Sequence, residues 1–386
     1  MLLGSESSLD ILLFADDLEA IAETPQERRS VLLLICILFA VGTPMKWTKF
    51  RGGFQVDWVG LHSDYRSYSL GLSADRAAWV EKWTSECVTE KTVDISDFQA
   101  GIGRLNFATQ ALMHYRPFLG ILYAWVSATA REGIKGATIP WAVAIVLSWI
   151  GRKLSTERLM EAPEPPKGKP IDWFRADAKA TDTQAWIGGW ESTNENPGTA
   201  KWFAMEIRKE DFGWAFSKGS PKRAIAALEL LATLVCIKTF GSGICDSKQR
   251  CCSLTASTDN LGNSYIISKL LTTKYPSILI LLELAEELHS RKAILHLSWR
   301  NRERNEEADA LTNQDFSLFN PNLRQHIDPK NMQWKILLEL ESDAQQLYDD
   351  LHLLKTKGKS TSKGAVVASH FAKRSAKTRL KWKDPW

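Results

Sequence analysis

Four carboxylates between residues 177 and 309 stand in segments whose other residues are mostly apolar. Asp177, in Trp173-Phe-Arg-Ala-Asp-Ala-Lys-Ala180, is read as the end of a strand, and Asp259 follows Ser253-Leu-Thr-Ala-Ser-Thr258. Glu229 is the only acid in Ala224-Ile-Ala-Ala-Leu-Glu-Leu-Leu-Ala-Thr-Leu-Val235, and Asp309 lies in Asn305-Glu-Glu-Ala-Asp-Ala-Leu311. An acid at a strand end is ordinarily a solvated turn residue, so Asp177 and Asp259 say little when taken singly. Glu229 says more. On a helix it shares a face with Ile225 and Ala232, and burying a carboxylate there without a cation is costly. Acids that converge in this way can hold two Mg²⁺ ions (or Mn²⁺) ~3.5–4 Å apart, one activating water and the other stabilising a leaving oxygen at phosphorus.

Such acids must be carried by strand ends and inner helix faces. From residue 171 the pattern predicts strands over 171–177, 185–190 and 200–207, then a helix over 221–239. A strand (253–258), two helices (260–270 and 276–289), a strand (292–299) and a helix (305–313) follow, the last with Asn305 placed as its cap. Three strands followed by alternating helices and strands is an α/β order with a mixed sheet. Four prolines between Glu161 and Pro170 read as an extended linker over 156–170 ahead of this domain.

In that order the four acids resemble the RNase H domain of retroelement reverse transcriptases, over about 145 residues of the chain. The matching positions read Asp177-Ala-Lys, Glu229-Leu-Leu-Ala, Thr258-Asp259-Asn260 and Asn305-Glu-Glu-Ala-Asp309-Ala-Leu. The resemblance implies a mixed five-stranded sheet with helices over 171–315. It also implies a catalytic and metal-binding role for Asp177, Glu229, Asp259 and Asp309, and an RNA–DNA hybrid as partner. Lys179 departs from the small residue common there. The histidine the family often places near its last acid has no counterpart in the 300–305 loop, because His296 comes too early and is assigned a structural role. Asp172 and Asp182 are read as bystanders.

Upstream, an apolar segment ending at Phe14-Ala-Asp16-Asp17 predicts a hairpin that resembles the Tyr-x-Asp-Asp turn of reverse transcriptases. On that resemblance Asp16 and Asp17 are metal ligands, Lys46, Lys49, Trp58 and Gly60 contact nucleic acid, and residues 1–72 are a partial palm. The helical stretch 73–155 resembles the thumb and connection of DIRS-type or gypsy-like elements, with Ser73, Asp94 and Asp97 as candidate caps. Only 15 residues precede Asp16, too few for a further palm aspartate and fingers. This chain is therefore expected to lack polymerase activity by itself, although the family is one of RNA-directed DNA polymerases.

Composition narrows the classes further. With 44% hydrophobic and 24% charged residues the chain is globular rather than disordered. Its most apolar run, Val31 to Val41, falls short of the ~20 residues a bilayer requires and is expected to be a buried helix of a soluble, intracellular protein. The six cysteines show no C-x-x-C spacing and are read as thiols. A helical extension over 316–354 leads to a tail, 355–386, with ten Lys or Arg against one acid. Lys373, Arg374, Lys377, Arg379, Lys381 and Lys383 in it are candidate phosphate contacts. Two readings remain open: a hybrid-cleaving endonuclease within a retroelement enzyme, and a silent nucleic-acid-binding remnant of one. A nuclease of this fold acting on DNA, such as an integrase, fits less well, because such proteins typically end their acid set in Glu.

Overall fold

Phe14 pairs with Asp17 where β1 (Asp10–Phe14) and β2 (Asp17–Ile21) form an antiparallel pair. The computed structural model describes residues 10–15, 17–163, 171–241 and 251–355, so Asp16 and the basic tail from 356 onward lie outside the described residues. Helix α1 (Pro25–Ala40) starts at a capping box, in which Thr24 Oγ1 accepts from the Glu27 N–H and Glu27 accepts from the Thr24 N–H. Its apolar stretch is helical as expected, but it is not buried. No residue of α1 is buried, and Leu32, Leu33, Ile37 and Phe39 are exposed. A helix apolar on several faces needs neighbours on those faces, and the described residues cover them only in part, as where Phe39 meets Trp47.

Next come β3 (Gln55–Trp58), β4 (Leu61–Asp64) and β5 (Ser69–Leu72), then α2 (Ala74–Glu90), β6 (Thr92–Asp94), α3 (Ile95–Ala111), α4 (Leu119–Arg131), β7 (Gly136–Thr138), α5 (Trp141–Thr156) and β8 (Leu159–Glu161). The β3–β4 turn needs Gly60, whose φ is +79° and whose Cβ would fall 1.8 Å from the Arg76 guanidinium. Strand β8 lies inside the stretch read as linker, and it pairs with β5 to complete a β3-β4-β5-β8 sheet. Asp94 caps α3 by accepting from the Ser96 and Asp97 N–H groups. Ser73 makes no side-chain cap, and Asp97 is a first-turn acid rather than a cap. Phe118 stacked on Trp149 at 3.8 Å, and Trp83, Phe98 and Trp125 in contact, fill the core between the helices.

The second unit holds β9 (Phe174–Ala180), β10 (Ala185–Glu191), β11 (Trp202–Glu206), the short α6 (Gly213–Phe216), α7 (Ile225–Phe240), β12 (Cys252–Thr258), α8 (Leu261–Lys269), α9 (Ser277–Ser290), β13 (Ala293–Trp299) and α10 (Glu306–Thr312). Its sheet runs β11-β10-β9-β12-β13, antiparallel among the first three strands and parallel on both sides of β12. Adjacent glycines show how the helices sit on it. A Cβ on Gly188 would meet Leu311 of α10, and one on Gly189 would meet Cys236 of α7, so the two helices cover opposite faces. Helix α9 is shared between two cores. Ile278, Leu279 and Leu282 pack with the helices of the first unit, whereas Ile280, Leu281 and Leu284 pack under the sheet.

The stretch 316–354 holds only a 3-10 turn, Pro321–Leu323, before α11 (Leu337–Lys355). Leu340, Ala344, Leu347, Leu351 and Leu354, at spacings of three and four, return α11 to the core of the first unit. Its start is held by Glu283 of α9, which is fully buried. That carboxylate accepts from the backbone N–H groups of Lys335, Ile336 and Leu337 and pairs with Lys238 at 3.0 Å. Glu283→Ala leaves three N–H groups without their acceptor and takes one carboxylate from the buried Lys238 ammonium, which keeps Glu287 at 2.9 Å. It is expected to cost about 3–5 kcal/mol, read from urea unfolding, while Glu283→Gln keeps an acceptor and loses less. A loss below about 1 kcal/mol in the alanine protein would show that α11 is anchored by apolar packing alone.

Among the described residues no helix is long and apolar enough to cross a membrane. Cys36, Cys87, Cys236 and Cys251 are free thiols, but Cys252 is disulfide-bonded, so the reading of six thiols fails there.

Candidate active site

Asp177 does not end its strand. Pairing of Lys179 with Trp186 and Ala180 with Ala185 carries β9 three residues further, so Asp177 lies within the sheet and is only 5% exposed. Glu229 projects from the second turn of α7, and Asp259 follows directly on β12. Oxygens of these three carboxylates lie within 4.8 Å of one another. Three elements distant in sequence thus bring three acids to one place.

The electrostatics show what such a cluster lacks. Burial pushes the Asp177 carboxyl up to about 7, and the neighbouring Asp259 and Asp309 charges add to the shift. Burial likewise pushes Glu229 up to about 8, reinforced by Asp259 and Asp177. Asp259 Oδ1 is buried and has no hydrogen-bond partner among the described residues. An orphaned oxygen among three carboxylates that repel one another is a fit for hard divalent cations such as Mg²⁺ or Mn²⁺, which take oxygen ligands and offset the charge.

Asp309 stands beside the trio rather than in it. Its Oδ1 accepts from Arg302 Nη2 at 2.8 Å and its Oδ2 from Asn313 Nδ2 at 2.7 Å. Helix α10 reaches this place because Gly188, directly opposite Asp177 in register, leaves room for Leu311. Asn305, read as a helix cap, makes no cap bond. It is buried, and its Nδ2 donates to the carbonyl of Ala176, tying α10 to the strand that carries Asp177.

Sequence reasoning missed several neighbours of the acids. Asn263, buried in the first turn of α8, donates through Nδ2 to Glu229 Oε2 at 3.4 Å and to the Ala226 carbonyl. Its place three residues after Asn260, which caps α8 by accepting the Asn263 N–H, was the available signal. Trp299 Nε1 donates to the Asp259 carbonyl at 3.1 Å. Lys179, the departure noted in the sequence, contacts Asn313 and so reaches Asp309 indirectly.

The remaining candidates fall elsewhere. Asp17 opens β2, the exposed Lys46 precedes and the exposed Lys49 closes the Trp47–Lys49 turn, and half-buried Trp58 and Gly60 belong to the β3–β4 hairpin, on a different sheet from the acids. Asp172 is occupied by Arg300 and Ser257, both at 2.6 Å, in keeping with its reading as a bystander. His296, assigned a structural role, is an exposed residue of the edge strand β13. Lys373, Arg374, Lys377, Arg379, Lys381 and Lys383 lie outside the described residues.

Fold and site together define a mixed α/β unit with a carboxylate trio at its sheet, Asp177 buried and Glu229 and Asp259 half-buried. The chain matches no protein-family model and no curated protein. Among solved structures it is similar to the N-terminal RNase H domain of a Mycobacterium tuberculosis protein, determined as a fusion with maltose-binding protein. The identity is 16%, over 37% of this chain and 93% of that one, with a TM-score of 0.25. It is also similar to RNase H1 of the halophilic archaeon Halobacterium salinarum NRC-1, at 14% identity over 39% of this chain and 98% of that one, with a TM-score of 0.26.

Proposed function

We propose that the unit spanning 171–315 is an RNase H-type endonuclease that cleaves the RNA strand of RNA–DNA hybrids. The observation that carries this reading is the convergence of Asp177, Glu229 and Asp259 within 4.8 Å, with Asp309 alongside, in the element order the resemblance requires. Asp177, Glu229, Asp259 and Asp309 hold two Mg²⁺ ions. When bound, these ions polarise the scissile phosphate and supply a nucleophilic water near neutral pH. The residues themselves orient and discharge the site. Asn263 aims the Glu229 carboxylate, and Asn305 locks α10 against β9. Asp177 and Glu229, whose carboxyls burial pushes up to about 7 and about 8, would have to lose their protons to hold a cation.

The retroelement setting belongs to the same proposal. Its support is the β1–β2 hairpin that places Asp17 next to the turn, the tight β3–β4 hairpin at Gly60, and the helical unit ahead of the nuclease. The basic tail serves as an electrostatic tether for hybrid, since ten cationic side chains there face one acid.

The test is Mg²⁺-dependent cleavage of end-labelled RNA–DNA hybrid by the full chain, with duplex DNA and duplex RNA in parallel. Cleavage confined to the RNA of the hybrid is the expected result. Preferential cutting of duplex DNA would reassign the site, and binding without cleavage would make the domain a silent remnant. In the same binding assay, removal of 355–386 should weaken affinity at low salt and flatten the salt dependence by ~0.7–0.9 in log–log slope per lost phosphate contact. An unchanged slope would dismiss the tether.

A further inference from the structure

Both carboxylate oxygens of Asp309 are engaged, and the two partners differ in kind. Asn313 on Oδ2 is neutral, belongs to the same helix end, and is itself contacted by Lys179. Arg302 on Oδ1 is a cation on the short Arg302–Arg304 turn between β13 and α10, and its side chain is 75% exposed. An exposed ion pair of this kind is weak, so Arg302 can leave at little cost while Asn313 keeps Asp309 aimed. The charge of Arg302 is felt beyond Asp309. Asp177 and Asp259 also favour its protonated form, which places the guanidinium within the field of the whole cluster.

We infer that Arg302 is a catalytic residue that exchanges partners. In the metal-free protein its guanidinium stands in for missing positive charge on Asp309 Oδ1. With ions and hybrid bound, it swings to a non-bridging oxygen of the scissile phosphate. The inference rests on the proposed two-metal nuclease and extends it to a residue of this chain. The exchange follows from charge. Arg302 would lose Asp309 Oδ1 to cations held at the acids, and the planar fork of its guanidinium fits a phosphate through two hydrogen bonds. On the phosphate, Arg302 stabilises the negative charge that builds up on the equatorial oxygens as the P–O bond to the leaving oxygen breaks. Arg302 thus takes no part in proton transfer.

A residue that competes with metal but assists chemistry leaves a two-sided signature. In calorimetric titration of the full chain with Mg²⁺ alone, Arg302→Ala is expected to bind about two- to fivefold more tightly than wild type, since a competing surface pair is gone. Arg302→Lys, which keeps the charge, should stay close to wild type. On hybrid at saturating Mg²⁺, kcat of Arg302→Ala should fall by about tenfold or more, and Arg302→Lys should recover part of it, having charge without the fork. Unchanged or weaker Mg²⁺ affinity in Arg302→Ala overturns the exchange, and so does tighter affinity with unchanged kcat. Failure of the wild-type chain to bind Mg²⁺ overturns the metal site itself, an outcome the nucleotide-free titration separates from the other two.

Discussion

Glu229→Gln is expected to lower hybrid cleavage at least about 10²–10³-fold, the range for removing one charge-stabilising group from an active site, without unfolding the protein. Its effect on stability should have the opposite sign, which makes loss of fold an unlikely-to-be-confused alternative. The Glu229 carboxyl titrates near pH 8 in the folded protein and at an ordinary value when unfolded. A folded-state value raised in this way confers stability that is complete below about pH 4.5 and is lost as pH rises through 8. Glutamine has no charge to bury and escapes that loss. Thermal denaturation in chelator at pH 8.5 should therefore find Glu229→Gln at least as stable as wild type. At pH 4.5, where the wild-type carboxyl is neutral, the advantage should vanish. Added Mg²⁺ should stabilise wild type more than the variant. Full hybrid cleavage by Glu229→Gln would remove Glu229 from the site.

Metal binding at neutral pH should expel protons. With Asp177 held at about 7 and Glu229 at about 8, the cluster carries protons at pH 6.5 that a divalent cation must displace. Apparent Mg²⁺ affinity should rise by about tenfold per pH unit for each proton released between pH 6 and 8, then flatten. Calorimetry in buffers of different ionisation enthalpy counts the protons directly. Between one and two are expected for wild type at pH 6.5, and about one fewer for Glu229→Gln. Binding without proton release would mean that the acids are already ionised, and that the neighbouring Arg302 charge offsets their burial more than the geometry indicates.

Much of the nuclease unit could be read along the chain, and the reasons are local. The strands and the longer helices from 174 to 312 announce themselves by apolar periodicity, the short α6 does not, and Glu229 betrays itself as the one acid on an apolar helix segment. Boundaries were less legible. Asp177 was read as a strand end, yet β10 continues to pair with β9 beyond that point. Asn305 looked like a cap because Asn suits that position, but its amide found the Ala176 carbonyl, a partner on a strand distant in sequence. The apolar run of α1 was taken for buried from composition, which measures what a helix could bury and not whether a neighbour covers it.

The sequence by itself determined which residues are chemically equipped to hold cations and which elements carry them, since periodicity and residue type depend on near neighbours. Tertiary structure alone decided how they group. Asp177, Glu229 and Asp259 converge because β9, α7 and β12 pack side by side, whereas Asp309 is set apart by Arg302 and Asn313. Packing also decided that β8 joins β5 and that α11 turns back to the first unit under the grip of Glu283. These contacts join residues far apart in the chain. Their free energy comes from burial and charge pairing that exist only once the chain has closed the intervening loops, so no local pattern in the sequence records them.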